Sequence, residues 1–157
     1  MADLNLPILD LSQLDQGPAA AEDFRARLRE ATHEVGFFYL TGTGVSPELE
    51  ARLHQAALDF FALPEAEKLA IENVNSPHFR GYTRIGGERT QGKVDWREQI
   101  DIGPERTPVA DGPAFNRLIG PNLWPAAQPE LREVVAEWHA ALSDVSRRLL
   151  RAWAEAL

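Results

Sequence analysis

Apolar residues recur along this chain at several spacings, and each spacing predicts a different element. Pro7-Ile8-Leu9-Asp10-Leu11 is a short apolar run between turn formers and reads as an edge strand. Its proline stands at the start, where a missing N–H is tolerated. From Glu22 the period lengthens. Phe24, Leu28, Ala31 and Val35 follow at steps of four, three and four, the stripe of an amphipathic helix, and Gly36 is placed to end it. Phe37–Leu40 is compact and aromatic, as a strand would be. Ser46-Pro47 opens a second helix, with serine as N-cap and proline at the first helical position; Leu49, Leu53, Ala56 and Phe60 form its buried stripe. A shorter helix restarts at Leu63-Pro64-Glu65 and runs to about Glu72. From Pro129 onward Leu131, Val135, Trp138, Leu142, Val145, Leu149, Ala152 and Ala156 alternate steps of four and three, which predicts one long helix. Its last residues, LLRAWAEAL, carry no glycine cap and no polar tail, so the chain is expected to continue into something longer.

Between these helices, residues 73–128 read as loops and short strands. The densest part is HFRGYTRIGGERTQGKVDWREQIDIG, residues 78–103, with five Gly, five Lys or Arg and four Asp or Glu. Read plainly, it is a surface hairpin turning at Gly86-Gly87, with cross-strand charge pairs and a two-faced strand over 94–99. Read functionally, it is a glycine-shaped rim that turns Tyr82, Arg84, Glu88, Thr90 and Asp95 toward a cavity. Glycines allow close backbone approach, and mixed polar side chains suit a small zwitterionic or acidic ligand.

Composition narrows the alternatives. The 157 residues are enough for one domain with its own core, 44% are hydrophobic, and the net charge is −8. That charge denies the basic footprint a nucleic-acid partner needs. With no cysteine there is no disulfide framework, iron–sulfur cluster or thiolate zinc site. The start, MADLNLPILDLSQLD, lacks a signal-peptide layout, and no apolar run nears the roughly 20 residues of a membrane span. A cytoplasmic location is expected.

Most catalytic templates find no match. None of His33, His54, His78 and His139 is followed two residues later by Asp or Glu, and no two lie three or four apart. A mononuclear iron site needs two imidazoles and a carboxylate together, so no metal ligand is assigned. Gly42-Thr43-Gly44 imitates the opening of a dinucleotide-binding turn, but Pro47 occupies the place of its third glycine, and a tight strand-to-helix turn is the better reading. No serine sits in a nucleophile elbow. Glu65 and Glu67 open a helix whose dipole favours them, and are read as a solvated face.

The order LPILDLSQL, EVGFFYLTGTGV, FFALPEAEKLAIEN, FRGYTRIGGERTQGKVDWREQIDIG and NLWP resembles the N-terminal region of iron(II)- and 2-oxoglutarate-dependent dioxygenases, in the isopenicillin N synthase-like branch. The resemblance covers nearly all of residues 7–157. It implies an α+β fold: a helical and strand region (1–125) and a long helix (126–157) that braces a double-stranded β-helix, or jelly roll, which this chain largely lacks. It also implies an enzyme that uses Fe(II) and 2-oxoglutarate to oxidise a small organic substrate. The family's His-x-Asp, distant His and Arg-x-Ser signatures belong to the jelly roll, so this portion alone is expected to be inactive and to bind neither cofactor. Its expected partners are the small-molecule substrate and its own jelly-roll domain.

Within the resemblance, Gly81-Tyr82 matches a pair that precedes the mouth of the substrate pocket. Gly87-Glu88-x-Thr90-x-Gly92-Lys93-x-Asp95 is most similar to the ethylene-forming enzyme. Tyr82, Glu88, Thr90 and Asp95 are carried over as substrate-binding candidates. Gly87 stands where that enzyme has Glu, and Thr43 where many members have His, so substrate identity is not carried over. The alternative function is a stand-alone helical module that dimerises through the 131–156 seam, whose threes and fours resemble a heptad.

Overall fold

The computed structural model describes residues 6–157 and divides into two compact units, one of Met1–Pro47 (described from Leu6) with Trp138–Leu157, the other Glu48–Glu137. In the first, strand β1 (Ile8–Asp10) pairs in parallel with β2 (Tyr39–Thr41), Leu9 opposite Leu40. Parallel neighbours need a long crossover, and helix α1 (Pro18–Glu30) supplies it. It starts earlier than Glu22 because Gly17, at φ +106°, lets the chain enter at Pro18. Its end widens into a π-turn over Ala31–Val35, and Gly36, left-handed at φ +82°, returns its N–H to the Ala31 carbonyl. The strand expected over 37–40 starts two residues later, where Tyr39 N–H bonds to the carbonyl of Pro7, just before β1; Phe37 is left exposed.

Phe24 and Leu28, fully buried, pack with Leu9, Leu11, Ala31 and Ala152; Val145, Leu149 and Trp153 close over them. Those last four residues lie on helix α4 (Glu130–Ala156). The seam that would serve a dimerising coiled coil is therefore spent, in this part, on the chain's own core. Burying a phenylalanine of this kind is worth roughly 1.5–3 kcal/mol. Gly42 is explained by contact rather than by a phosphate: a Cβ there would lie 1.8 Å from the Asp10 carboxylate, which caps the following turn by accepting from Ser12.

The second unit begins with the body of helix α2 (Pro47–Ala62), whose Leu49, Ala56 and Phe60 are buried as their spacing predicts. Helix α3 (Glu65–Leu69) is shorter than expected, because Ile71 turns inward and its carbonyl accepts from Tyr82 N–H. Strand β3 (Gly81–Thr83) pairs antiparallel with β6 (Gln99–Asp101), and β4 (Arg89–Thr90) with β5 (Lys93–Val94). Leu131 and Val134 bury the first turns of α4. None of the helices among the described residues is long and apolar enough to cross a membrane.

Candidate functional site

The glycine-rich stretch folds as two stacked tiers of one hairpin. At its base, Gly81 takes φ +113°, and a Cβ there would stand 2.3 Å from the Ile71 carbonyl oxygen, so no other residue fits. At its tip the chain reverses over Gln91 (φ 52°) and Gly92 (φ 80°), a two-residue turn with both central residues left-handed. The reversal is thus not at Gly86-Gly87. Those glycines form a separate turn closed by Gly87 N–H to the Arg84 carbonyl, and Gly86 N–H then bonds across to the Asp95 carbonyl. Nor is there a strand over 94–99. Residues 95–98 form no strand between β5, which ends at Val94, and β6, which starts at Gln99.

Three of the four residues expected at a substrate pocket lie together in the upper tier. Thr90 Oγ1 donates to Asp95 Oδ2 at 2.9 Å, and Asp95 N–H donates to the Glu88 carbonyl at 3.0 Å. The Glu88 carboxylate accepts from Arg97 and Gln99, each at 3.3 Å. Beside them Trp96 stands 84% exposed. Tyr82 lies elsewhere, in the lower tier and only 3% exposed, its ring edge-on to Phe60.

Tyr82 belongs to a buried polar knot that sequence reasoning did not find. Its hydroxyl donates to Glu98 Oε2 at 2.7 Å, and Lys68 Nζ donates to the same oxygen at 2.7 Å and to the Phe61 carbonyl at 3.1 Å. Lys68, only 8% exposed, also lies 5.4 Å from the Tyr82 ring centre. Burial, reinforced by the adjacent Glu98 carboxylate, pushes the Tyr82 phenol up to about 12. Lys68 and then Tyr82, by donating hydrogen bonds, hold the Glu98 carboxyl below its ordinary range. This part-buried ion pair is sustained by its extra hydrogen bonds, and removing one partner leaves the other charge desolvated and unpaired. Lys68 reads as solvated in its charged context, EAEK, and only the partner 30 residues away reveals its role.

NLWP closes the far end of the stretch. Asn122 accepts from Gly103 N–H at 2.9 Å and donates to its carbonyl at 2.7 Å, while Trp124 Nε1 donates to Glu105 at 2.6 Å. At the side, Arg84 grips Glu72 with two hydrogen bonds, at 2.6 and 2.8 Å. The tip carrying Glu88, Thr90 and Asp95 therefore rises from a base anchored by Lys68, Glu72 and Asn122.

Among the described residues no three of His, Cys, Asp and Glu converge to hold a metal ion. His78 Nδ1 lies 2.7 Å from the Arg117 carbonyl and His33 Nδ1 2.6 Å from Glu34.

Residues 6–127 match the family model described as "non-haem dioxygenase in morphine synthesis N-terminal". The chain belongs to that family. Among relatives of this non-haem dioxygenase N-terminal domain, a 2-oxoglutarate-dependent dioxygenase, frbJ, of Dothideomycetidae sp. is 40% identical over 98% of this chain and 41% of its own length. A homoarginine-6-hydroxylase of Arabidopsis thaliana is 34% identical over 94% and 47%, and a validamycin A dioxygenase of Streptomyces hygroscopicus 38% over 90% and 40%. The chain thus spans less than half the length of these curated relatives. In fold it is similar to a full-length Neurospora crassa protein solved in complex with alpha-KG and thymine (TM-score 0.75, 23% identity, 99% of this chain and 50% of that one). It is also similar to a 2OG-Fe(II) oxygenase family protein of Caulobacter crescentus (TM-score 0.78, 23% identity, 96% and 48%).

Proposed function

We propose that this chain is the front half of a non-haem iron(II), 2-oxoglutarate-dependent oxygenase that oxidises a small organic substrate. In this reading residues 1–125 are its N-terminal domain and 126–157 the helix that braces a jelly roll. Iron and 2-oxoglutarate would be held by that jelly roll, so this portion alone is inactive. The observation that carries the site assignment is the tip of the anchored hairpin, where the Asp95 carboxylate accepts from the Thr90 hydroxyl and Glu88, backbone-bonded to Asp95, holds its own carboxylate on Arg97 and Gln99. Such a rim suits a cationic group on the substrate. The relatives named homoarginine-6-hydroxylases support this, since homoarginine carries a guanidinium. Glu88, Thr90 and Asp95 contact the substrate, and Tyr82 supports the base beneath them.

The test is Asp95→Asn in the enzyme encoded by the full reading frame, assayed with cationic amino acids as candidate substrates. Losing a charge-assisted hydrogen bond of about 1.5–3 kcal/mol lowers kcat/KM about 10- to 150-fold. Turnover of 2-oxoglutarate without primary substrate should keep its wild-type rate. If substrate turnover stays within twofold of wild type, Asp95 is a surface residue and the rim assignment fails.

A further inference from the structure

Residues 97–99 face two ways. Glu98 is held in the buried knot, while Arg97 and Gln99, on either side of it, both reach the Glu88 carboxylate, each at 3.3 Å. That is the alternation of an extended chain, where neighbouring side chains leave on opposite sides, so fixing Glu98 aims the other two. Strand pairing does not aim them, because β5 ends at Val94 and β6 begins at Gln99. The hold comes from Glu98 Oε2, which accepts from Lys68 Nζ and from the Tyr82 hydroxyl, each at 2.7 Å. Lys68 brings the full charge. It is buried, and its second hydrogen bond, to the Phe61 carbonyl at 3.1 Å, ties the group to the end of α2. The consequence appears at the tip. Asp95 lies across the hairpin from Glu88, accepts from the Thr90 hydroxyl, and has no ion-pair partner among the described residues. Arg97, its side chain 64% exposed, is long enough to serve either carboxylate, and what assigns it to Glu88 is the position of its backbone.

We infer that Lys68 is a positioning residue for substrate recognition. Through Glu98 it keeps Arg97 on Glu88, and so leaves the Asp95 charge available to a cationic group of the substrate. The inference rests on the rim reading of Glu88, Thr90 and Asp95, and adds to it the residue that keeps the rim's charge free. Without the Lys68 ammonium, Glu98 loses its charged anchor, the segment 95–98 loosens, and Arg97 competes with the substrate for Asp95. The loss falls on the preference for a cation over a neutral molecule of the same shape, because only the cation depends on that charge.

The experiment compares variants of the enzyme encoded by the full reading frame. For each, kcat/KM is measured for homoarginine and for homocitrulline, its neutral isostere, and the ratio of the two is the readout. Lys68→Met should lower that ratio about three- to thirtyfold, the range of coupling through a packed network. Adding Arg97→Gln to Lys68→Met removes the competitor and should restore the ratio, which a merely structural role for Lys68 would not allow. Phe24→Leu, in the core of the other unit, controls for lost stability and should leave the ratio unchanged. Should Lys68→Met fold poorly, Lys68→Met with Glu98→Gln leaves no unpaired buried charge and carries the same expectation. A wild type without a preference for homoarginine, or an Asp95→Asn variant that keeps the wild-type ratio, overturns the rim reading and this inference with it. If Asp95→Asn abolishes the preference while the Lys68 variants stay within twofold of wild type, or if Arg97→Gln restores nothing, the rim stands and the positioning role is overturned.

Discussion

Tyr82 shows how a residue can be placed by sequence while its partners stay hidden until the chain has folded. Beside Gly81, its neighbours suggest a side chain facing a ligand, whereas it is buried and its hydroxyl is committed to Glu98. That commitment has a spectroscopic consequence. A phenol raised to about 12 stays neutral where an ordinary tyrosine, at 10.0, has ionised. Its folded pKa lies above its unfolded one, so its contribution to stability is complete below 10 and is lost as pH rises from 10 to 12. The chain has two tyrosines, so an ultraviolet titration can resolve them. A tyrosinate step near 12 should be present in the wild type and absent from Tyr82→Phe. Should the phenylalanine variant retain that step, the knot is not formed as described.

Elements differ in how much of them the sequence can announce. The stripes Phe24-Leu28-Ala31 and Leu49-Ala56-Phe60 are legible because helical burial repeats at a fixed period. The hairpin is legible as a hairpin but not in its register. Gly86-Gly87 is the louder turn signal, yet the reversal falls on Gln91-Gly92, where Gln has no special bias toward positive φ. What decides the register is pairing at a distance: β3 to β6 across the whole intervening hairpin, and Asp95 to Gly86 and Glu88. Likewise NLWP is visible as a motif, but its work on Gly103 is visible only once the chain has folded. The glycines make the point measurable. Gly92 has φ +80° and open space around it, so Gly92→Ala should cost only the left-handed conformation, about 1–2 kcal/mol. Gly81→Ala meets the same kind of strain and, in addition, the Ile71 carbonyl at 2.3 Å, so it should cost clearly more. Urea midpoints of the two variants compare them, and equal losses would refute the assigned base geometry.

For the molecule as a whole, the decisive electrostatics lie in carboxylates tied to donors rather than in net charge. Asp10 is held below its ordinary range by the Ser12 hydroxyl and N–H, and Glu72 by Arg84. Glu98 is held down by Lys68 and Tyr82. Burial works against the Glu105 carboxylate, yet hydrogen bonds from Trp124 and Asn122 prevail and lower it too. All four have folded pKa values below their unfolded ones of 3.8 or 4.5, so the unfolded chain takes up more protons as pH falls. The stability they confer is complete above that range and drains away as pH drops through the folded values. Glu98 is the member of this set that sits in the enclosed knot, and it should dominate the acid limb. Glu98→Gln should therefore lower stability near neutrality, because Lys68 loses its counter-ion. It should also shrink the further loss between about pH 6 and pH 3, because one proton-linked group is gone. Urea midpoints of wild type and variant at both pH values give the two differences. A variant that loses as much between them as the wild type does would place the acid sensitivity elsewhere, and the knot would then be a packing feature without electrostatic leverage.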